Sequence, residues 1–486
     1  MIQRFPDTDR ESLGQFDLFI PGSTDPGPTR TGLLRYREEE IKLEVSPSFT
    51  PAIQWEQHGD NTWTGKSTDS EPHDVVVLGS LSVNPGEVSL WGVNTVRRHS
   101  LGIEDPFHES PSSQEMRADW CLVGAHLADP QTPFQEIRLD ITNFHTWAGL
   151  HSIFHRVPGD KSEFEWAWEL KLPEIPQIPL NSFGAQIKLV PVARQASISS
   201  SEINVSTKTQ AVINLDSGVQ LEDALSKFAA PLANLMTILS GSKSSIRNMK
   251  LGTGSDPGVD VFGYQISPSA PQSSGDLFLY RADVGENFLP EWFNLSAAVS
   301  PVPDILAAAH SGEFSTIDTE ALTLVTTAEM LHRLLHPKAK RFTEDEVNAS
   351  KEGVKTADIP HTVKQSLLDA LGQWWADKSY PQRLEQLAEP VAEAVPSCVG
   401  KVNRWKRQVA DLRVSAAHGL SDSQDSSDLM KAFTLTRSVR WMLTFRLLLA
   451  AGVTPESLRK AANRSEKYTN DATRWRHEWP KIFSDS

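Results

Sequence analysis

An arginine and a histidine near the C-terminal end carry the clearest chemical signal in the chain. They stand in Arg413-Val-Ser-Ala-Ala-His418-Gly419, separated by four residues, with small alanines between them and a glycine behind. Arginine is permanently charged, and its planar fork fits a phosphate. Histidine titrates near neutrality, so it can take a proton from a ribose 2′-hydroxyl or give one to a leaving oxygen. Together they suit phosphodiester cleavage in RNA without a metal. Acid–base help of this kind is worth ~10²–10⁴-fold, and charge stabilisation at a pentavalent phosphate adds to it. Residues five positions apart on a helix differ by roughly 140° in azimuth. One copy of the pair therefore diverges, unless the helix unwinds at Gly419 or a second chain supplies the other half.

The element that presents this pair is a helix predicted over Val399–Ala417. Val402, Trp405, Val409, Leu412 and Ala416 recur at spacings of three and four and form its buried stripe. Lys406 and Arg413, seven apart, lie beside that stripe. Arg404, Lys406 and Arg407 make the same helix basic, and Ser415 adds a polar group, so these four are the candidate RNA-binding residues. Gly419 is a candidate helix stop.

Other constellations are weaker. Glu329, His332 and His336 fall at i, i+3 and i+7, a spacing that could hold a metal, but no fourth ligand is evident and a polar helix surface is the plainer reading. His151 and His155, with His145 nearby, read as structural or surface residues. Gly252-Thr-Gly-Ser-Asp-Pro-Gly258 lacks the lysine and the following helix of a nucleotide loop. Trp166 and Trp168, alternating with Phe164 and Leu170, read as core rather than as a glycan platform. The sequence therefore assigns neither a metal nor a cofactor.

Around these residues the chain divides in two. Up to about residue 310 it reads as strands: 32–37, 41–45, 75–79, 88–93, 120–126, 134–141, 187–192, 211–215, 259–266 and 277–281. One helix interrupts them, with Leu221, Leu225, Phe228, Leu232, Leu235 and Leu239 on one face and Gly241 as its stop. From 311 onward it reads as helices: Ile317–His336, Thr362–Trp375, Gln382–Val395, Val399–Ala417 and Ser427–Ala451. The expected fold class is α+β multidomain, with a β-rich N-terminal domain over 1–310, barrel- or sandwich-like with one inserted helix, and an all-α bundle over 311–486.

Composition bounds the function. The 486 residues are 39% apolar and 22% charged, as in globular proteins. Two cysteines, Cys121 and Cys398, exclude a disulfide framework. The N-terminal sequence has no basic, then apolar, leader, and the apolar stretch Trp441–Val453 is shorter than the ~20 residues of a membrane span. A cytoplasmic chain without a membrane partner is expected. The formal net charge is −15, which by itself disfavours a polyanionic partner. The charge is segregated, however: the first 310 residues carry −17, the remainder +2, and residues 401–486 alone +7.

The Arg413–His418 pair at the end of a helix in a C-terminal helical region resembles the R-x4-6-H motif of HEPN ribonucleases. The rest of the chain resembles the ApeA-like branch, antiphage proteins with a β-rich N-terminal domain before the HEPN domain. Segments Val75–Gly79 with Val88–Trp91, Trp120–His126, Phe134–Ile141 with Trp147, and the helix Leu221–Ser240 carry that resemblance. It implies a metal-independent endoribonuclease of abortive infection, with Arg413 and His418 catalytic and Glu329, on an earlier helix, as a supporting acidic residue. It also implies a HEPN homodimer with a composite site, a 2′,3′-cyclic phosphate product, RNA such as tRNA as substrate, and control by the N-terminal domain in response to a phage-derived trigger. Many HEPN motifs carry a polar residue directly after the arginine, where this chain has Val414. That departure keeps open an alternative, a non-catalytic RNA-binding or adaptor protein.

Overall fold

The computed structural model describes residues 10–20, 27–37, 40–50, 53–58, 63–67, 75–83, 86–100, 112–150, 153–156, 167–170, 177–198, 203–254, 258–270, 275–373, 375–417 and 426–483. The chain forms two compact units. One comprises Met1–Met236 with Ser244–Ser274; the other comprises Thr237–Lys243 with Gly275–Ser486.

The first unit is built on one antiparallel sheet of fourteen strands among the described residues. In order across the sheet they are Ile178–Leu180, Ala185–Ile198, Ile203–Val219, Phe134–Ile141, Ile246–Gly252, Val259–Gly263, Trp120–Val123, Glu87–Trp91, Val76–Leu81, Arg10–Phe19, Arg30–Arg37, Glu40–Ser46, Ser112–Ala118 and Asn94–Ser100. Alternation explains the pattern: Ile41, Leu43 and Val45 are buried while Glu44 and Ser46 face solvent. Part of the sheet is rolled. Tyr36 and Phe262 stand on strands five places apart in that order, a separation of ~24 Å in a flat sheet. Their ring centroids nevertheless lie 4.8 Å apart. The enclosed core gathers around Phe16, whose ring covers Gly79 on the next strand; a Cβ at Gly79 would run into it. The barrel-like expectation thus matches this part of the sheet.

The helix predicted over 221–240 is present, with a π-helical stretch at Ala224–Ala229 before Ala230–Ser240. Pro231 explains the widening, because it donates no N–H and its ring crowds the carbonyl a turn earlier. Gly241 ends the helix at a φ of 62°, as a left-handed cap.

The second unit is helical: α1 Phe288–Ala298, α2 Val302–Ser311, α3 Ile317–Leu335, α4 Glu344–Thr356, α5 His361–Gln373, α6 Tyr380–Ala394, α7 Val402–Ala417, α8 Ser426–Ala450, α9 Pro455–Arg464 and α10 Glu466–Glu478. The stretch Trp441–Val453 belongs largely to α8, whose Val439, Met442, Leu443, Phe445 and Leu448 are fully buried. It is the centre of the bundle, and among the described residues no helix is long and apolar enough to cross a membrane.

One expectation changes here. Residues 277–281 do not form a strand. Leu277, Phe278 and Leu279 are buried in the helical unit, where Phe278 lies 5.4 Å from both Trp441 and Phe445. A short apolar run reads the same in a strand as in a core-filling loop, which is why periodicity mistook it. In the second unit, Gly275–Ser486 is joined by Thr237–Lys243, so α1 and α2 group with the later helices, and the 310/311 division falls between the last two residues of α2. Trp292 and Leu306 on α1 and α2 are fully buried.

Candidate functional site

Helix α7 is fixed from its beginning. Gly400 adopts a φ of 55°, and a Cβ there would strike the Ile482 carbonyl, which accepts the Lys401 N–H at 2.9 Å. Trp405, Val409 and Leu412 are buried as the stripe requires. The Trp405 indole donates to Ser438 Oγ of α8 at 2.9 Å, and Ser438 in turn donates to the Cys398 carbonyl at 2.7 Å. The last turn of α7 therefore emerges at a defined position against α3 and α6.

Arg413 stands one residue before that last turn. Its Nη2 lies 3.0 Å from Glu329 Oε2 on α3, and its Cζ lies 4.6 Å from the ring centroid of Tyr380, the first residue of α6. Glu329 also takes Arg333, one turn on, at 2.9 Å. The Tyr380 hydroxyl donates to the Val325 carbonyl at 3.0 Å, in the turn of α3 before Glu329. Burial pushes the Tyr380 phenol above its ordinary range, against the opposing pull of Arg413, so it stays a neutral donor. The guanidinium thus has a carboxylate on its edge and an aromatic ring on its face. It remains 39% exposed, enough to reach a ligand.

The other candidates separate. Lys406 aligns with Arg413 along α7, but its Nζ pairs with Glu385 Oε1 of α6 at 2.6 Å. The contacts 413/380 and 406/385 show that α6 and α7 run antiparallel. Arg404, Arg407 and Ser415 occupy the opposite, solvent-facing side of α7, and Arg404 donates to the Lys481 carbonyl at 2.8 Å. Val414 is 59% exposed. Helix α7 is described as far as Ala417, and His418 and Gly419 lie outside the described residues.

Glu329, His332 and His336 do not converge. Glu329 turns to the two arginines, whereas His332 is fully buried with Nε2 3.0 Å from Gln386 Oε1 and Nδ1 3.5 Å from Arg383. Burial lowers the pKa of both histidines. Among the described residues no three His, Cys, Asp or Glu side chains are grouped as a metal site would need. His145 bonds Thr209 Oγ1 at 2.9 Å; His151, Phe164, Trp166 and the side chains of His155 and Trp168 lie outside the described residues.

Sequence reasoning missed Tyr380 and Arg333. Tyr380 is 33 positions from Arg413, and only the antiparallel packing of α6 on α7 brings them together, so no local spacing signals the pair.

The family models agree with this architecture. The model described as ApeA N-terminal domain 1 matches residues 11–292, more than half of the chain, and the Apea-like HEPN model matches residues 322–457, from α3 into α9. No curated protein and no solved structure matches the chain. A rolled antiparallel sheet matching the first model, followed by a helical bundle matching the second, makes the chain a member of the ApeA-like HEPN family, which implies a part in antiphage defence.

Proposed function

We propose that the protein is a metal-independent endoribonuclease of abortive infection, with Arg413 and His418 as its catalytic pair. The observation that carries this reading is Arg413 itself: a partly exposed guanidinium, oriented by Glu329 and Tyr380, on α7 five positions before His418 in the sequence. A base takes the proton from a ribose 2′-hydroxyl, and the 2′-oxygen attacks the adjacent phosphorus. The P–O5′ bond breaks, an acid protonates the leaving 5′-oxygen, and a 2′,3′-cyclic phosphate remains. Histidine fits both proton transfers. Arg413 neutralises the charge that builds on the non-bridging oxygens. Glu329 fixes the arginine, and with Arg413 and Arg333 it leaves one net positive charge for the phosphate.

On an ideal helix, residues five positions apart diverge by roughly 140° in azimuth, which favours a composite site from two HEPN domains of a homodimer. Residues 401–486 carry +7, in keeping with an RNA substrate such as tRNA, and Arg404 and Arg407 are the candidate backbone contacts. The N-terminal unit, with most of the acidic charge, acts as sensor or restraint toward a phage-derived trigger. Purified His418→Ala protein should fold but leave RNA uncut; full cleavage by it would sink the assignment.

A second reading, a non-catalytic RNA-binding or adaptor protein, is favoured by one observation: the residue after Arg413 is the exposed, apolar Val414. RNA binding without new cyclic-phosphate ends would decide for it.

A further inference from the structure

We infer that Tyr380 is a positioning residue for the reaction proposed above, holding the plane of the Arg413 guanidinium so that its free N–H edge faces the phosphate. The inference rests on that reading of Arg413.

Three observations carry it. The Arg413 Cζ stands 4.6 Å from the Tyr380 ring centroid, within the range in which an aromatic face attracts a cation. The ring is itself immobilised. Its hydroxyl is tied to the Val325 carbonyl at 3.0 Å, and its backbone begins α6 inside a capping box, where the Ser379 N–H donates to Gln382 Oε1 at 2.9 Å. Finally, the ring and the carboxylate act from one frame. Val325 and Glu329 are one turn apart on α3, so the group that fixes the guanidinium's plane and the group that fixes its edge are both referred to the same helix. A lone ion pair leaves an arginine free to swivel about that contact. A ring face added to it removes the swivel. Arg413 then needs no reorganisation when charge develops on the phosphate.

The consequence is specific. Loss of the ring leaves the positive charge but frees its orientation, so the defect falls on kcat rather than on KM. Tyr380→Leu in the full-length chain should cut total tRNA about tenfold more slowly, the middle of the range for a partly desolvated cation–ring contact, with KM within about twofold. Tyr380→Phe keeps the ring face and should recover cleavage to within about threefold of the wild type. In an Arg413→Lys background, Tyr380→Leu should add little further loss, because the planar group that the ring orients is already gone. If Tyr380→Leu fails to fold by thermal melt, fluorinated phenylalanines at position 380 replace it. They keep the ring's shape while draining its face of electron density, and the rate should fall stepwise with fluorination. Equal losses from Tyr380→Leu in the wild-type and Arg413→Lys backgrounds, or rates indifferent to fluorination, would overturn the positioning role. A wild-type chain that leaves no cyclic-phosphate ends on tRNA would instead overturn the ribonuclease reading and this inference with it.

Discussion

Replacing Glu329 with glutamine separates the stability of the Arg413 cluster from its orientation. The Glu329 side chain is 20% exposed and Arg413 39% exposed, so water screens the pair and its worth to folding is about 1 kcal/mol or less. For a helical unit of this size that corresponds to a fall in melting temperature of about 2–4 °C. The effect on cleavage is expected to be larger. The amide of Glu329→Gln retains an acceptor but not the charge, and Arg413 keeps only the Tyr380 ring as a firm hold. A loss of about tenfold in kcat is expected, ~1.4 kcal/mol of transition-state stabilisation. KM should not rise, because removing the carboxylate takes the net charge of Arg413, Arg333 and position 329 from +1 to +2 beside an anionic substrate. Steady-state cleavage of end-labelled tRNA with a parallel thermal melt reads both quantities. An unchanged kcat, or a melting temperature lowered by more than about 10 °C, would refute the view that Glu329 orients rather than supports.

Three further outcomes follow from the same structure. Burial holds His310 well below its ordinary value of 6.5, with Arg440 adding to it, and lowers His332 and His336. The unfolded chain therefore takes up protons first as pH falls through ~6.5, so the contribution of these histidines should be flat just above that pH and stability should decline below it; a melting temperature that rose on acidification below pH ~6.5 would contradict this. Trp405→Phe removes the indole bond to Ser438 and should cost about 1–3 kcal/mol in urea unfolding, by leaving a buried hydroxyl short of a donor. Arg404→Ala and Arg407→Ala should each flatten the slope of log RNA affinity against log salt by about 0.7, whereas Lys406→Ala, whose charge is engaged by Glu385, should flatten it less. Equal slopes for all three would remove the distinction between the two faces of α7.

The sequence was legible where burial and period coincide. Phe134–Ile141 is a strand with the bounds its alternation predicts, and Trp405, Val409 and Leu412 form the stripe that their spacing predicts. The long hairpin Ala185–Ile198 with Ile203–Val219 was visible only in its apolar middle, because its Ser-, Thr- and Gln-rich ends carry no alternation of hydropathy. Helix α4 buries only Val347, too little to make a periodic signal, although Thr343 and Glu346 form a capping box at its start. At the site, Arg413 could be found from its motif, but its surroundings could not. Glu329 is 84 positions away and Tyr380 33, and their convergence is a product of helix packing. Lys406 shows the converse: it aligns with Arg413 along α7 and reads as a candidate RNA contact, and a facing carboxylate on α6 holds it instead.

The central claim is tested most directly by mapping RNA ends in cells expressing either the wild-type chain or His418→Ala. The account predicts new 2′,3′-cyclic phosphate ends, matched by 5′-hydroxyl ends, that depend on His418. The same ends from the His418→Ala chain, or none from the wild type in phage-infected cells, would contradict it.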